Sequence, residues 1–153
     1  MIKQRNITLI VVHCTASRCT SNLTPEALDS MHKRQGFVEC GYHYYITKDG
    51  TIHHMRDITH IGAHAKGYNT PSIGVAYEGG LNAAGRAADT RTDAQKQSLE
   101  TLLRFLLLEY FRTVLTYDRH FRLEYTLILI RQNLVFLRVS SSIEIVLQTR
   151  FPL

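Results

Sequence analysis

The most informative part of the chain is residues 41–80, GYHYYITKDGTIHHMRDITHIGAHAKGYNTPSIGVAYEGG. Ring-bearing polar side chains and turn glycines alternate along it, which is typical of short strands joined by tight turns. HYYIT (43–47) and TIHHM (51–55) flank Lys48-Asp49-Gly50, and an Asp-Gly pair between such runs predicts a β-hairpin. PSIGVAYEGG (71–80) predicts another internal strand, which ends at paired glycines.

The residues that precede this stretch predict a buried strand and a helix. ITLIVVH (7–13) is β-branched and nearly continuous in its apolar character, as in a strand that is covered on both faces. A helix is predicted to begin with Thr24 as N-cap and Pro25 at the first helical position, and to end near Gly36. One side of this helix carries Leu28, Met31 and His32.

A longer helix is predicted after Thr92-Asp93-Ala94-Gln95, because apolar residues recur there at helical spacing. These residues are Leu99, Leu102, Leu103, Leu106, Leu107 and Tyr110. TVLTY (113–117) predicts one more strand. Alternating strands and helices indicate an α/β fold with a mixed central sheet flanked by helices, formed as a single domain over residues 1–120.

The composition changes abruptly in the C-terminal tail, residues 121–153. This tail contains no Gly, Ala, Lys, Asp, His or Cys. It consists of the β-prone runs TLILI, NLVFLRV and SIEIVLQT, separated by arginines and serines, and it has almost no turn residues. One hypothesis is that the coding frame shifted near Thr116–Phe121, so that the tail was not selected to fold here.

Bulk composition excludes several classes of protein. With 153 residues, 44% hydrophobic and 20% charged, the chain is globular rather than disordered. Its net charge of +5 favours an anionic partner, but no Lys/Arg run indicates nucleic-acid binding. Three cysteines without a CxxC pair do not form a secreted disulfide framework, and we expect Cys14 or Cys40 to be a buried thiol.

Neither a signal peptide nor a membrane span is visible in the sequence. We therefore expect the chain to be cytoplasmic or to reach the cell wall by another route. We also expect it to be a monomer.

His13 is the first candidate for chemistry, because it ends an apolar strand. A lone histidine there is more often structural, but the Tyr/His-rich segment that follows favours a metal ligand. Tyr42 follows Gly41, and on a strand only one of Tyr42 and His43 would face a site. A tyrosine beside a metal can donate a hydrogen bond to an oxyanion, although a core tyrosine is the alternative.

The loop GAHAKGYN (62–69) is a second candidate region, since loops on a rigid scaffold often bind ligands. His64 and Asn69 lie in it, and Lys66 offers a cation for a carboxylate. A mobile surface loop is the alternative. The other histidines, His32, His53, His54 and His60, are expected to serve packing, the hairpin or the surface.

Five motifs, in order, resemble the zinc-dependent N-acetylmuramoyl-L-alanine amidases, a family that includes phage lysozyme-type amidases and peptidoglycan recognition proteins. The motifs are VVHCTA, MHKRQGF, GYHYYITKDGTI, GAHAKGYN and SIGVAYEGG. The resemblance covers about residues 7–110. It implies an amidase fold, zinc as cofactor, bacterial peptidoglycan as substrate and partner, and hydrolysis of the amide between N-acetylmuramic acid and L-alanine.

The resemblance also implies roles for individual residues. His13 and His120 match zinc ligands, and Tyr42 matches the tyrosine that assists catalysis. The third ligand of the family, a histidine or cysteine, has no counterpart, because neither residue type follows His120. Asp118 or Glu124 would be the oxygen ligands nearby, without support from the spacing.

The GAH and GYN motifs imply that His64, Lys66 and Asn69 contact the substrate. Because the third ligand is missing, activity is expected to be impaired, and a non-catalytic peptidoglycan-binding module is the alternative function.

Overall fold

The computed structural model describes residues 5–110 in full and, further along, the backbone of three strands at 126–130, 134–140 and 143–148. The predicted strand at 113–117, together with Asp118, His120 and Glu124, lies outside the described residues. The boundary proposed at residue 120 remains a prediction.

The elements follow one another as strands and helices within the described residues. Two helices are present there, α1 (Pro25–Arg34) and α2 (Asp93–Tyr110). The strands are β1 (Leu9–Cys14), β2 (Ser17–Arg18), β3 (Tyr44–Ile46), β4 (Ile52–His54), β5 (Ser72–Tyr77), β6 (Gly80–Leu81), β7 (Thr126–Ile130), β8 (Leu134–Ser140) and β9 (Ile143–Gln148).

Seven of the described strands form one mixed sheet in the order β4-β3-β5-β1-β9-β8-β7. β1 lies in the middle and pairs in parallel with β5 on one side and with β9 on the other. β3 is parallel to β5, whereas β4, β7 and β8 join antiparallel. β2 and β6 form a separate parallel pair, which the sequence did not predict.

The predicted hairpin is confirmed. β3 and β4 pair antiparallel, with Tyr45 opposite His53. Gly50 in the turn has a φ of +85°, which glycine adopts without strain. Asp49 accepts hydrogen bonds from Thr47 and Thr51, so its carboxylate holds the turn from both sides.

The first predicted helix is confirmed, including its cap. Thr24 has extended backbone angles, and its hydroxyl accepts the amide hydrogen of Ala27 at 3.2 Å. Leu28 and His32 are buried as expected, whereas Met31 is exposed.

Each face of the sheet carries its own core, because side chains of a strand alternate between faces. On one face, α2 packs its apolar stripe on β1, β3 and β5 through Ile10, Val12, Ile46, Ile73, Val75, Leu99, Leu102, Leu106 and Leu107. On the other face, α1 packs through Leu28 on Tyr42, Tyr45 and Ala76. His13 directly follows Val12 and therefore points to the face that α1 covers.

Candidate functional site

Three aromatic side chains meet on the α1 face of the sheet: His13, Tyr42 and His64. The ring centroids of His13 and Tyr42 are 5.1 Å apart, and those of His13 and His64 are also 5.1 Å apart. The centroids of Tyr42 and His64 are 6.3 Å apart. Residues from β1, from the segment before β3 and from the loop before β5 thus come together.

His13 is held near the carboxyl end of β1, between β5 and β9, where it pairs with Ala76 in the parallel register. Its side chain is only 3% exposed. A central strand with neighbours on both sides fixes the direction of such a side chain, which a metal ligand requires.

Tyr42 is buried among the rings of His13, His32 and His64. Burial raises the pKa of its phenol far above the ordinary value, so the hydroxyl keeps its hydrogen at neutral pH. Close backbone approach at Gly41 sets its position, because a Cβ there would lie 2.3 Å from the carbonyl oxygen of Ala63.

Tyr42 and His43 precede β3 instead of belonging to it, so the alternation expected for a strand does not separate them. The ring centroid of His43 is 5.8 Å from that of His64, closer than the 6.3 Å between Tyr42 and His64. His43 nevertheless has a structural role, because its ring bonds to backbone groups. Its Nδ1 accepts the Gly74 amide hydrogen at 3.0 Å, and its Nε2 lies 3.0 Å from the carbonyl oxygen of His60.

His64 touches His13 directly. Its Nδ1 lies 3.0 Å from His13 Nε2, and its Nε2 lies 3.3 Å from Ser72 Oγ. Burial lowers the pKa of His64 to about 2, with a smaller contribution from the neighbouring His13. The imidazole is therefore neutral at physiological pH.

The other two residues expected to contact substrate occupy different positions in the loop. Asn69 accepts the amide hydrogens of His64 and Ala65 at 2.9 and 2.8 Å, so its side chain holds the loop closed on itself. Lys66 is exposed at the loop surface. The structure thus brings His64 to His13, while it places Lys66 outside the aromatic cluster.

The histidines assigned to packing or the surface behave as expected. His32 is buried in α1, and its Nδ1 accepts the Gly41 amide hydrogen at 2.9 Å. His54 and His60 are exposed, and His53 is half-buried in the hairpin. Cys14 and Cys40 are both buried free thiols.

Sequence reasoning missed two buried charged groups that support the site. Glu78, 1% exposed, accepts the amide hydrogens of Leu23 and Lys48 and pairs with the Lys48 ammonium at 3.3 Å. Arg56, 8% exposed, donates to the carbonyl oxygens of Cys40, Glu39 and Ile61. A charged residue in a buried run, such as Glu78 after SIGVAY, is the signal that would have indicated the first of them.

The donor set fits zinc in part. An imidazole on a rigid strand is a suitable zinc ligand, and His13 is a buried imidazole on the central strand. Across the described part of the chain, no group of three His, Cys, Asp or Glu side chains is placed to hold a metal ion. The further ligands would have to come from residues that the structure does not describe, where His120 lies.

No helix among the described residues is long and apolar enough to cross a membrane.

Comparison with known proteins identifies relatives across most of the chain. The sequence profile of the N-acetylmuramoyl-L-alanine amidase family matches residues 3–130. The endolysin of Escherichia phage T7 is 44% identical over 114 residues, which are 74% of this chain and 76% of that protein. Peptidoglycan-recognition protein SC2 of Drosophila melanogaster is 30% identical over 103 residues, 61% of this chain and 51% of that protein.

A solved structure agrees with this assignment. The N-acetylmuramoyl-L-alanine amidase LysC from Clostridium intestinale superposes with a TM-score of 0.61 at 36% identity, and the match covers 71% of this chain and 67% of LysC. The fold, the order of the motifs and the extent of the match lead to one conclusion: this chain belongs to the N-acetylmuramoyl-L-alanine amidase family.

Proposed function

We propose that this chain hydrolyses the amide bond between the lactyl group of N-acetylmuramic acid and L-alanine in peptidoglycan, with His13 as a zinc ligand and Tyr42 as an oxyanion donor. The observation that carries the proposal is the contact between the His13 and Tyr42 rings on a rigid sheet, with centroids 5.1 Å apart. Family membership supplies the reaction class.

The roles of the residues follow from their chemistry. Zinc, when bound, would polarise the amide carbonyl and activate a water molecule. His13 would hold the ion through an imidazole whose direction the central strand fixes, and His120 would be a second ligand. Tyr42 keeps its hydrogen because it is buried, so it can donate a hydrogen bond to the oxygen of the tetrahedral intermediate. A C–O bond forms between water and the carbonyl carbon, the C–N bond breaks, and a proton from the water passes to the leaving nitrogen, so that a lactyl carboxylate and the free amino group of L-alanine are released.

The loop around Lys66 would bind the peptide part of the substrate, because it is exposed at the surface. The Lys66 ammonium would pair with a carboxylate of the stem peptide, and Asn69 would keep the loop in shape through its two backbone hydrogen bonds. In this proposal Lys66 acts on substrate binding and leaves the chemical step unchanged.

The test measures release of L-alanine-terminated peptides from purified cell walls. Tyr42→Phe keeps the ring and removes the hydroxyl, so we expect a loss of about 10²–10³-fold in kcat, as for other oxyanion donors. His13→Ala should abolish both hydrolysis and zinc uptake. His54→Ala, on an exposed strand position, is the control and should match wild type.

Full hydrolysis by His13→Ala would contradict the proposal, as would a wild-type chain that releases no peptide with zinc at high enzyme concentration.

A non-catalytic peptidoglycan-binding module is the second candidate function. Two observations favour it: no His or Cys follows His120, and the chain resembles a peptidoglycan-recognition protein. Calorimetric titration with a muropeptide separates the two functions. A binding module would retain its affinity after chelation of metal and release no product, whereas the amidase would release product only with the metal present.

A further inference from the structure

The buried side chain of Arg56 joins two backbone segments of the site. We call residues 39–42 the tyrosine segment, because it ends at Tyr42, and residues 61–64 the histidine segment, because it ends at His64. The guanidinium donates hydrogen bonds to two carbonyl oxygens of the tyrosine segment and to one of the histidine segment. A single side chain therefore determines how the two segments lie relative to each other.

The planar shape of the guanidinium makes this link directional. Arg56 Nε donates to the Cys40 carbonyl oxygen at 2.7 Å, and Nη2 donates to that of Glu39 at 3.1 Å. Nη1 donates to the carbonyl oxygen of Ile61. The N–H groups of a guanidinium lie in one plane with fixed angles between them, which a lysine ammonium on a flexible stem does not reproduce. A Glu39 carboxylate oxygen, 3.4 Å from Nε, balances the charge.

The tyrosine segment has little freedom to move. The Cys40 amide donates to the Asp29 carboxylate at 2.8 Å, and the Gly41 amide donates to His32 Nδ1 at 2.9 Å. The Gly41 carbonyl accepts the Ala63 amide hydrogen at 3.0 Å, and a Cβ on Gly41 would lie 2.3 Å from the Ala63 carbonyl oxygen. With the bond from the arginine to the Cys40 carbonyl, every backbone polar group of these two residues has a partner. The side chain that follows them is therefore placed by these bonds.

We infer that Arg56 is a positioning residue, which holds the Tyr42 hydroxyl in place beside His13. This inference rests on the proposed role of Tyr42 as an oxyanion donor. Such a donor acts only from the right position, and a misplacement of about 1 Å can cost about 10²-fold in rate. Substrate binding through Lys66 should change less, because Asn69 holds the shape of that loop by its own hydrogen bonds.

Arg56→Lys tests the role of the planar guanidinium, since it keeps a cation beside Glu39. On a soluble muropeptide with zinc, we expect kcat to fall about 10–100-fold while KM stays close to that of wild type. Arg104→Lys is the matched control. Arg104 lies exposed on α2, where it bonds to Glu100, so the same substitution there should leave both constants unchanged.

A double-mutant cycle asks whether Arg56 acts through Tyr42. In Tyr42→Phe the hydroxyl is absent, so adding Arg56→Lys should cause almost no further loss of kcat. A substitution that merely weakens the fold would lower kcat by the same factor in both backgrounds. That result would overturn the inference, as would wild-type kcat in Arg56→Lys.

NMR of the metal-free protein provides a readout that needs no activity. The Tyr42 and His13 rings, with centroids 5.1 Å apart, should give nuclear Overhauser effects in wild type and in Arg104→Lys. These effects should weaken in Arg56→Lys. If that variant does not fold, Gly41→Ala replaces it, because its Cβ would push the same two segments apart and should weaken the same effects.

The two kinds of failure are distinguishable. A wild-type chain that releases no product with zinc would contradict the proposed function, while the NMR measurement would still test the position of Tyr42. Ring contacts that stay as strong as in wild type in Arg56→Lys, or in Gly41→Ala where it is the variant that folds, would overturn the inference alone.

Discussion

At the scale of single residues, the site combines the buried His13 with His64, whose imidazole burial keeps neutral. His13 and Tyr42 could be proposed as site residues from the sequence, since a histidine at a strand end and a tyrosine after a glycine are local signals. The contact between His13 and His64 could not be predicted, because it depends on how a loop folds over a strand 51 positions away in sequence. His43 illustrates the same limit: its position before β3, and not within it, decides which way it points.

The buried His43 predicts how stability depends on pH. Burial lowers the pKa of His43 to about 4, below the value of about 6.5 for an exposed histidine. In the unfolded chain the His43 imidazole therefore binds a proton below pH 6.5, whereas in the folded chain it binds this proton only near pH 4. The free energy of unfolding should be insensitive to this group above pH 6.5 and should fall by up to about 3 kcal/mol as the pH decreases to 4.

Urea denaturation of wild type and His43→Asn at pH 7.5, 6, 5 and 4.5 measures this dependence. The variant is expected to be less stable at neutral pH. Between pH 6.5 and 4 its free energy of unfolding should depend on pH less steeply than that of wild type, by the slope that corresponds to about one bound proton. Equal slopes in the two proteins would contradict the assignment. His54→Ala, which changes an exposed histidine, should reproduce the wild-type slope.

At the scale of elements, the sequence predicted the helices and the hairpin because their signals are local. The apolar repeat of α2 and the Thr24-Pro25 start of α1 are examples. The pairing of β2 with β6 could not be predicted, since two-residue strands carry no periodic pattern. The sequence also gave no indication that Gln95, in the first turn of α2, would be fully buried and bonded to the carbonyl oxygens of Ile46 and Glu78.

The start of α2 provides a prediction about stability. Thr92 Oγ1 accepts the Gln95 amide hydrogen at 3.1 Å, and Gln95 Oε1 accepts the Thr92 amide hydrogen at 3.0 Å, which together form a capping box. Thr92 also donates to the carbonyl oxygen of Lys48 at 2.6 Å. Thr92→Ala should lower the free energy of unfolding by about 1–2 kcal/mol in chemical denaturation at pH 7.

Thr101→Ala is the matched control for this cap. Thr101 is exposed within the same helix and bonds back to the carbonyl oxygen of Gln97, so alanine should leave stability unchanged or raise it slightly. A Thr92→Ala protein as stable as this control would contradict the role of the cap.

At the scale of the whole molecule, the mixed sheet with a helix on each face follows from the alternation of strand and helix signals in the first 110 residues. The strands at 126–130, 134–140 and 143–148 coincide with the β-prone runs of the tail. Their place in the sheet, with β9 beside β1, could not be predicted, because parallel pairing between distant segments leaves no local pattern. The frame-shift hypothesis for the tail stays a proposal, which comparison with the sequences of closely similar genes would decide.

The buried carboxylate of Glu78 has a dynamic consequence. The Glu78 carboxylate accepts the amide hydrogen of Leu23, in the segment before α1, and that of Lys48, in the turn of the hairpin. The same side chain therefore holds both segments. Their amide hydrogens should exchange with solvent in one concerted opening, and Glu78→Gln should accelerate exchange at both positions together. Hydrogen–deuterium exchange that speeds up at only one of them would show that the segments open independently.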